Sequence, residues 1–87
     1  MEILKNASAG TMESSDAYVE IAPGNGLQIR LESVVAQQFG DAIESVVREV
    51  LAEQNVENAN VRVVDRGALE CVIRARVETA ILRGKEC

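Results

Sequence analysis

Two runs of strict alternation flank a turn-forming tetrapeptide, and together they leave this chain few folds. Val19 and Ile21 alternate with Tyr18 and Glu20. After Pro23-Gly24-Asn25-Gly26, Leu27, Ile29 and Leu31 alternate with Gln28, Arg30 and Glu32. A period of two is that of a β-strand with one apolar face, and the Pro and Gly residues between suit a reversal, so a β-hairpin is expected over 17–32. Directly opposed side chains share a face, which forces odd positions to pair with odd ones. A Gly24-Asn25-Gly26 loop sets Ile21 opposite Ile29, Val19 opposite Leu31 and, on the polar face, Glu20 opposite Arg30. A five-residue loop satisfies the same parity, so the register stays open.

The period then lengthens. Ser33 is a candidate N-cap, and Val35, Phe39, Ile43, Val46 and Val50 recur at helical spacing, with Ala42 and Val47 widening the stripe. Gln37, Asp41, Glu44 and Arg48 fall on the other side, and Glu44–Arg48 is a favourable i,i+4 pair. Gly40 inside this helix costs about 1 kcal/mol relative to Ala. The helix should fade near Gln54-Asn55. Val61 and Val63 flank Arg62 in a further strand, which Asp65-Arg66-Gly67 ends. Residues 69–77 fit two periods. Leu69, Cys71, Ile73, Ala75 and Val77 alternate, whereas Leu69, Val72, Ile73, Val77 and Ala80 form a helical stripe with Glu70–Arg74 and Arg74–Glu78 at i,i+4. Alternation stops at Val77 while the helical pattern runs on, so a helix over about 68–83 is favoured. Arg76 projects into its apolar stripe and must snorkel or find a partner. The expected fold class is α+β: a small two-layer sandwich in β-β-α-β-α order, with a flexible N-terminal arm.

Composition narrows the function. The chain has 87 residues, enough for one domain (17–87) behind the arm (1–16), whose small and acidic residues show no period. Tyr18 and Phe39 are its two aromatics and the net charge is −5, so neither base stacking nor phosphate-backbone binding is expected. Residues 1–57 hold ten acids against three bases, and residues 58–87 four against six. An acidic front half suits a basic partner surface, or simply solubility. The opening five residues are too short for a signal peptide and no apolar run reaches spanning length, so no membrane partner and a cytoplasmic location are expected.

The chain has no histidine, which removes Ser-His-Asp and Cys-His catalysis and His-bearing metal sites. Cys71 and Cys87 have no metal-ligand spacing. Glu13 and Asp16 fall on the arm, and Asp41 and Glu44 on an exposed helical face, so no carboxylate pair is set in a cleft. Intrinsic catalysis is not expected. Gly24-Asn25-Gly26 leads into a strand and lacks a following Lys, which fits turn chemistry better than a phosphate loop. Ser14 and Ser15 remain, as ordinary loop residues, as a kinase site in acidic context, or as a point of modification.

Three blocks are recognisable. Ala9-Gly10-Thr11-Met12-Glu13-Ser14-Ser15-Asp16, Gln38-Phe39-Gly40-Asp41-Ala42-Ile43, and Asp65-Arg66-Gly67-Ala68-Leu69-Glu70-Cys71-Val72-Ile73-Arg74-Ala75-Arg76-Val77-Glu78 occur in order along nearly the whole chain. In this the chain resembles the acyl carrier subunit (gamma chain) of citrate lyase. Arg66 replaces a commoner lysine and the tail after Arg83 is short; neither touches the first block. The resemblance implies a non-catalytic carrier whose serine, here Ser14, bears 2'-(5''-phosphoribosyl)-3'-dephospho-CoA through a phosphodiester. Ser15 stands where some members have glycine. It further implies acetyl and citryl thioesters on that arm during cleavage of citrate to acetate and oxaloacetate. The implied partners are the citrate lyase alpha (acyl transferase) and beta (citryl lyase) subunits and a prosthetic-group transferase. The acyl carrier subunit of malonate decarboxylase is the alternative within the class, and a non-enzymatic acidic adaptor the alternative outside it. Arg74 and Arg76 are candidate contacts for the arm's phosphates or an acidic partner, or else members of ordinary ion pairs.

Overall fold

The computed structural model describes residues 2–33 and 36–85. Strand β1 spans Ala7–Gly10, β2 Ala17–Ala22 and β3 Leu27–Ser33; helix α1 spans Ala36–Glu53, strand β4 Ala59–Asp65 and helix α2 Glu70–Gly84. From residue 17 onward the expected β-β-α-β-α order is present, with one more strand ahead of it. The four strands form one sheet in the order β1-β2-β4-β3. β2 pairs antiparallel with β1 and β4, whereas β3 and β4 are parallel.

The expected hairpin over 17–32 is therefore corrected, because β4 lies between β2 and β3. The rows that parity demanded are nonetheless kept, each with a β4 residue inserted. Ile21 and Ile29 both face Val61, Val19 and Leu31 both face Val63, and Glu20 and Arg30 both face Arg62. Val61 and Val63 lie on the most buried of the strands, and a central place in the sheet is where their side chains lose most exposed surface. Pro23–Gly26 carries the chain across the start of β4 instead of reversing it. The Ala59 N–H donates to the Gly26 carbonyl at 2.9 Å, and the Gly26 N–H donates to Asn58 Oδ1 at 2.8 Å. On the outer face the insertion gives Arg62 two carboxylates, Glu20 at 2.8 Å and Glu32 at 2.6 Å, in place of a Glu20–Arg30 pair.

Within 1–16, β1 is an edge strand, so part of the stretch expected to be a flexible arm is structured. Ala9 pairs with Val19, Ile3 and Ala9 are buried, and the Leu4 and Lys5 N–H groups donate to the Gly84 carbonyl. Its period was hidden because Ala7 and Ala9, the inward residues of β1, are too small to mark a hydrophobic face.

Both helices pack on the odd-numbered face of the sheet. α1 contributes Ile43, Val46, Val47, Val50 and Leu51; α2 contributes Ile73, Val77, Ala80 and Ile81. Helix is thus the period that 69–77 adopts, although Leu69 precedes α2 and is exposed, as is Ala42 on α1. Val35, the Phe39 side chain and Cys87 fall outside the described residues. α1 ends at the expected place, with Asn55 at φ 58°; the Asn55 N–H donates to the Ala52 carbonyl and the Val56 N–H to that of Leu51. That is a Schellman closure, and it turns Val56 back into the core.

Candidate functional site

Ser14 stands at the tip of the β1–β2 hairpin. Glu13-Ser14-Ser15-Asp16 is a tight turn, closed by the Asp16 N–H donating to the Glu13 carbonyl at 3.1 Å. Ser15, its third residue, has φ 66°, the left-handed conformation that type II turns require there and that glycine adopts without strain. Ser15 is thereby a backbone element of the turn: its N–H donates to the Arg66 carbonyl at 2.8 Å, and the Arg66 N–H donates to the Asp16 carbonyl at 3.0 Å. Ser14, one position earlier, is exposed, and no hydrogen bond to its hydroxyl occurs among the described residues.

Asp16 holds this tip in place. Its carboxylate accepts from the Thr11 hydroxyl at 2.6 Å, from the Ala17 N–H at 2.7 Å, and from Arg76 Nε and Nη2 at 3.1 and 3.0 Å. These donors, Thr11 foremost and then Arg76, hold its carboxyl down at about 2. The partner that Arg76 needed is found 60 residues earlier in the chain. Gly10, at φ 94°, lets that side chain past: a Cβ there would collide with the Ala17 carbonyl oxygen and crowd Arg76 Cδ. Asp16 is neutralised by Arg76, and Glu13, the other carboxylate of the turn, has no ion pair among the described residues.

The remaining acids and arginines in this account have structural partners away from Ser14. Asp65 is 1% exposed and organises the neighbouring loop, a role its sequence position at a strand end did not reveal. Its Oδ1 accepts from the Gly67 and Ala68 N–H groups and its Oδ2 from the Ser33 hydroxyl. The signal for it was Asp65-x-Gly67, an Asx-type turn ahead of a helix. Arg74 bonds Glu49 at 3.0 Å and Glu53 at 2.9 Å across the α1–α2 interface, which raises its pKa. Glu44 and Arg48 pair along α1 at 3.7 Å.

The cavities do not add catalytic groups to the tip. One, of about 670 Å³, is an open concavity on the outer sheet face around Tyr18, Glu20, Arg30 and Arg62. Another, of about 220 Å³, lies between the helices beside Ile43, Val46 and Ile73. Neither is lined by Ser14. Among the described residues no helix is long and apolar enough to cross a membrane.

Comparison with known proteins agrees on a protein class. A family model described as malonate decarboxylase delta subunit (MdcD) matches residues 4–84. The chain is 57% identical over 88 residues to the citrate lyase acyl carrier protein of Escherichia fergusonii, covering 99% of this chain and 91% of that one. It is 51% identical over 86 residues to the citrate lyase acyl carrier protein of Haemophilus influenzae (strain PittEE), with 99% and 90% covered. Among solved structures, a chain of a Pseudomonas malonate decarboxylase hetero-tetramer in complex with malonate superposes with TM-score 0.82 at 21% identity, over 95% of this chain and 87% of that one. At that identity the likeness is one of fold. It also corrects the expected partners: the assembly it comes from is a malonate decarboxylase hetero-tetramer, not a complex of citrate lyase alpha and beta subunits. The three sequence blocks lie within one chain and name a family; they do not carry which other subunits that chain assembles with.

Proposed function

Because this chain belongs to the citrate lyase acyl carrier protein family and is a non-catalytic acyl carrier of a citrate-lyase- or malonate-decarboxylase-like complex, we propose that Ser14 anchors its prosthetic group. The group is a 2'-(5''-phosphoribosyl)-3'-dephospho-CoA arm in phosphodiester linkage. The observation that carries this reading is the exposed Ser14 at the second position of a tied turn, its hydroxyl unengaged among the described residues.

The residues fit such a group. An exposed tip has room for a nucleotide-sized substituent, and a covalent bond needs no anion cradle, which Glu13 would in any case oppose. The Ser15 hydroxyl is likewise exposed and unengaged among the described residues, so the choice of Ser14 rests on the family motif, while Ser15 serves the turn through its backbone. Among the described residues no base is hydrogen-bonded to either hydroxyl, which fits a chain that receives the group from another enzyme. When bound, the group supplies a terminal thiol that holds acyl groups as thioesters. What this chain contributes is the fixed attachment point at one end of its sheet.

Two acyl pairs suit the carrier. Malonyl and acetyl are supported by the family model and by the malonate decarboxylase fold. Citryl and acetyl are supported by the identity to citrate lyase carriers. Intact mass of the protein from its native host tests the anchor. We expect a nucleotide-sized adduct that Ser14→Ala abolishes and Ser15→Gly retains; an unmodified mass under inducing conditions would instead favour the acidic adaptor. Feeding malonate or citrate to the loaded complex and weighing the acyl group on the arm separates the two pairs.

A further inference from the structure

We propose that Asp16 and Arg76 are positioning residues for the loading of Ser14: they hold the hairpin tip in the turn that offers the hydroxyl, so that loading reads a folded loop instead of a stretch of sequence. The inference rests on Ser14 being the anchor.

Within the loop 11–16, the Thr11 and Asp16 side chains and the Glu13 and Ser15 backbones are engaged by hydrogen bonds, whereas Met12 and Ser14 have none among the described residues. The engagement is not confined to the loop. Arg76 reaches it from α2, and Arg66 holds it from the β4–α2 connection by a reciprocal pair of backbone bonds. Three separate parts of the chain thus meet at one turn. Core burial accounts for the fold without this clamp, and a partly exposed ion pair contributes little to stability. Its effect falls on the position of Ser14.

Asp16 also has a role it is kept from. A carboxylate two residues from a serine invites assignment as its general base, but its two oxygens are occupied by four donors, and at about 2 its carboxyl is too weak a base to take a proton from a hydroxyl. Loading forms one P–O bond from Ser14 Oγ while a P–O bond of an activated phosphate-ester donor breaks. The serine proton goes to a base on the loading enzyme, and the departing phosphate takes the electron pair. Asp16 and Arg76 act before that step, by setting where Oγ is. A fixed tip lowers the ordering entropy of the encounter complex, which is a binding effect more than a chemical one.

The test uses the full-length chain, native-host extract as the source of loading activity, and intact mass as readout. Arg76→Ala is expected to raise KM for the carrier about tenfold and to change kcat by less than about twofold, as loss of ground-state positioning does. Arg76→Lys, which keeps the charge and loses the fork, should recover part of that loss. Backbone hydrogen exchange at the Ser15 amide should be slow in the parent and faster in Arg76→Ala. Thr11→Val, which removes the hydroxyl that donates to Asp16 and accepts from the Glu13 N–H, gives the same direction in a variant that keeps the Arg76 fork. Unchanged KM in both variants, with the Ser15 amide released, overturns the proposal; a drop in kcat at constant KM assigns the pair to chemistry and also overturns it. Loading of Ser14→Ala would overturn the anchor itself, whatever Arg76 does.

Discussion

At the scale of single residues, two aspartates do most of the organising, and neither is where charge alone would place importance. Asp16 titrates at about 2 against an ordinary 3.8. A depressed native pKa means that its contribution is complete above the ordinary value and is lost as pH falls through about 2. We therefore expect the clamp to persist from neutral pH to about 3 and to open as pH falls through about 2, followed by the Asp16 carboxyl carbon shift against pH. In Arg76→Ala that titration should move upward yet stay below the ordinary value, since the Thr11 hydroxyl remains. Asp65 behaves as a buried structural acid. Asp65→Ala strands two backbone N–H groups and the Ser33 hydroxyl interaction, and should cost about 2–3 kcal/mol in chemical denaturation. Gly10→Ala should be worse tolerated than any exposed substitution in the loop, because it meets both a left-handed φ and the Ala17 carbonyl.

At the scale of elements, helices were legible and strand neighbours were not. α1 announced itself by a long 3.6-residue stripe and by Asn55 at its end. Leu51→Ala in its last turns should cost about 2–5 kcal/mol, and Asn55→Ala more than Asn55→Gly because only the alanine strains at a left-handed φ, both by urea denaturation. α2 was legible through its length, since no strand pattern continues past Val77. The sheet was half legible. Parity gave the rows Ile21–Ile29 and Val19–Leu31 from sequence, because side-chain period is a local property. That β4 would enter between those rows is a non-local choice, made by burial of Val61 and Val63 and by the double demand of Glu20 and Glu32 for Arg62. β1 escaped notice because alanine, glycine and serine carry almost no hydrophobic contrast. At the site, the motif named Ser14, but Arg76 as its remote support was visible only as a cation out of place on an apolar stripe.

At the scale of the molecule, the lopsided charge of the chain resolves itself internally. Arg62, Arg74 and Arg76 from the basic third reach Glu20, Glu32, Glu49, Glu53 and Asp16 from the acidic front. What distinguishes the two halves in sequence joins them in space. The proposed anchor lies outside the core, so loaded and unloaded carrier should unfold within about 2 °C of each other by calorimetry, because loading at the tip changes no buried surface. A larger shift would mean that the arm packs against the domain. The central place of β4 has a further consequence, for how the chain comes into being. β2 and β3 are made early, yet the strand that bonds to both is not complete until residue 65. Until β4 is in place, β2 and β3 share no bonded neighbour and each leaves open the edge that β4 covers. Insertion of β4 covers one edge of β2 and one of β3 at once, and leaves β1 and the far side of β3 as the edges of the finished sheet.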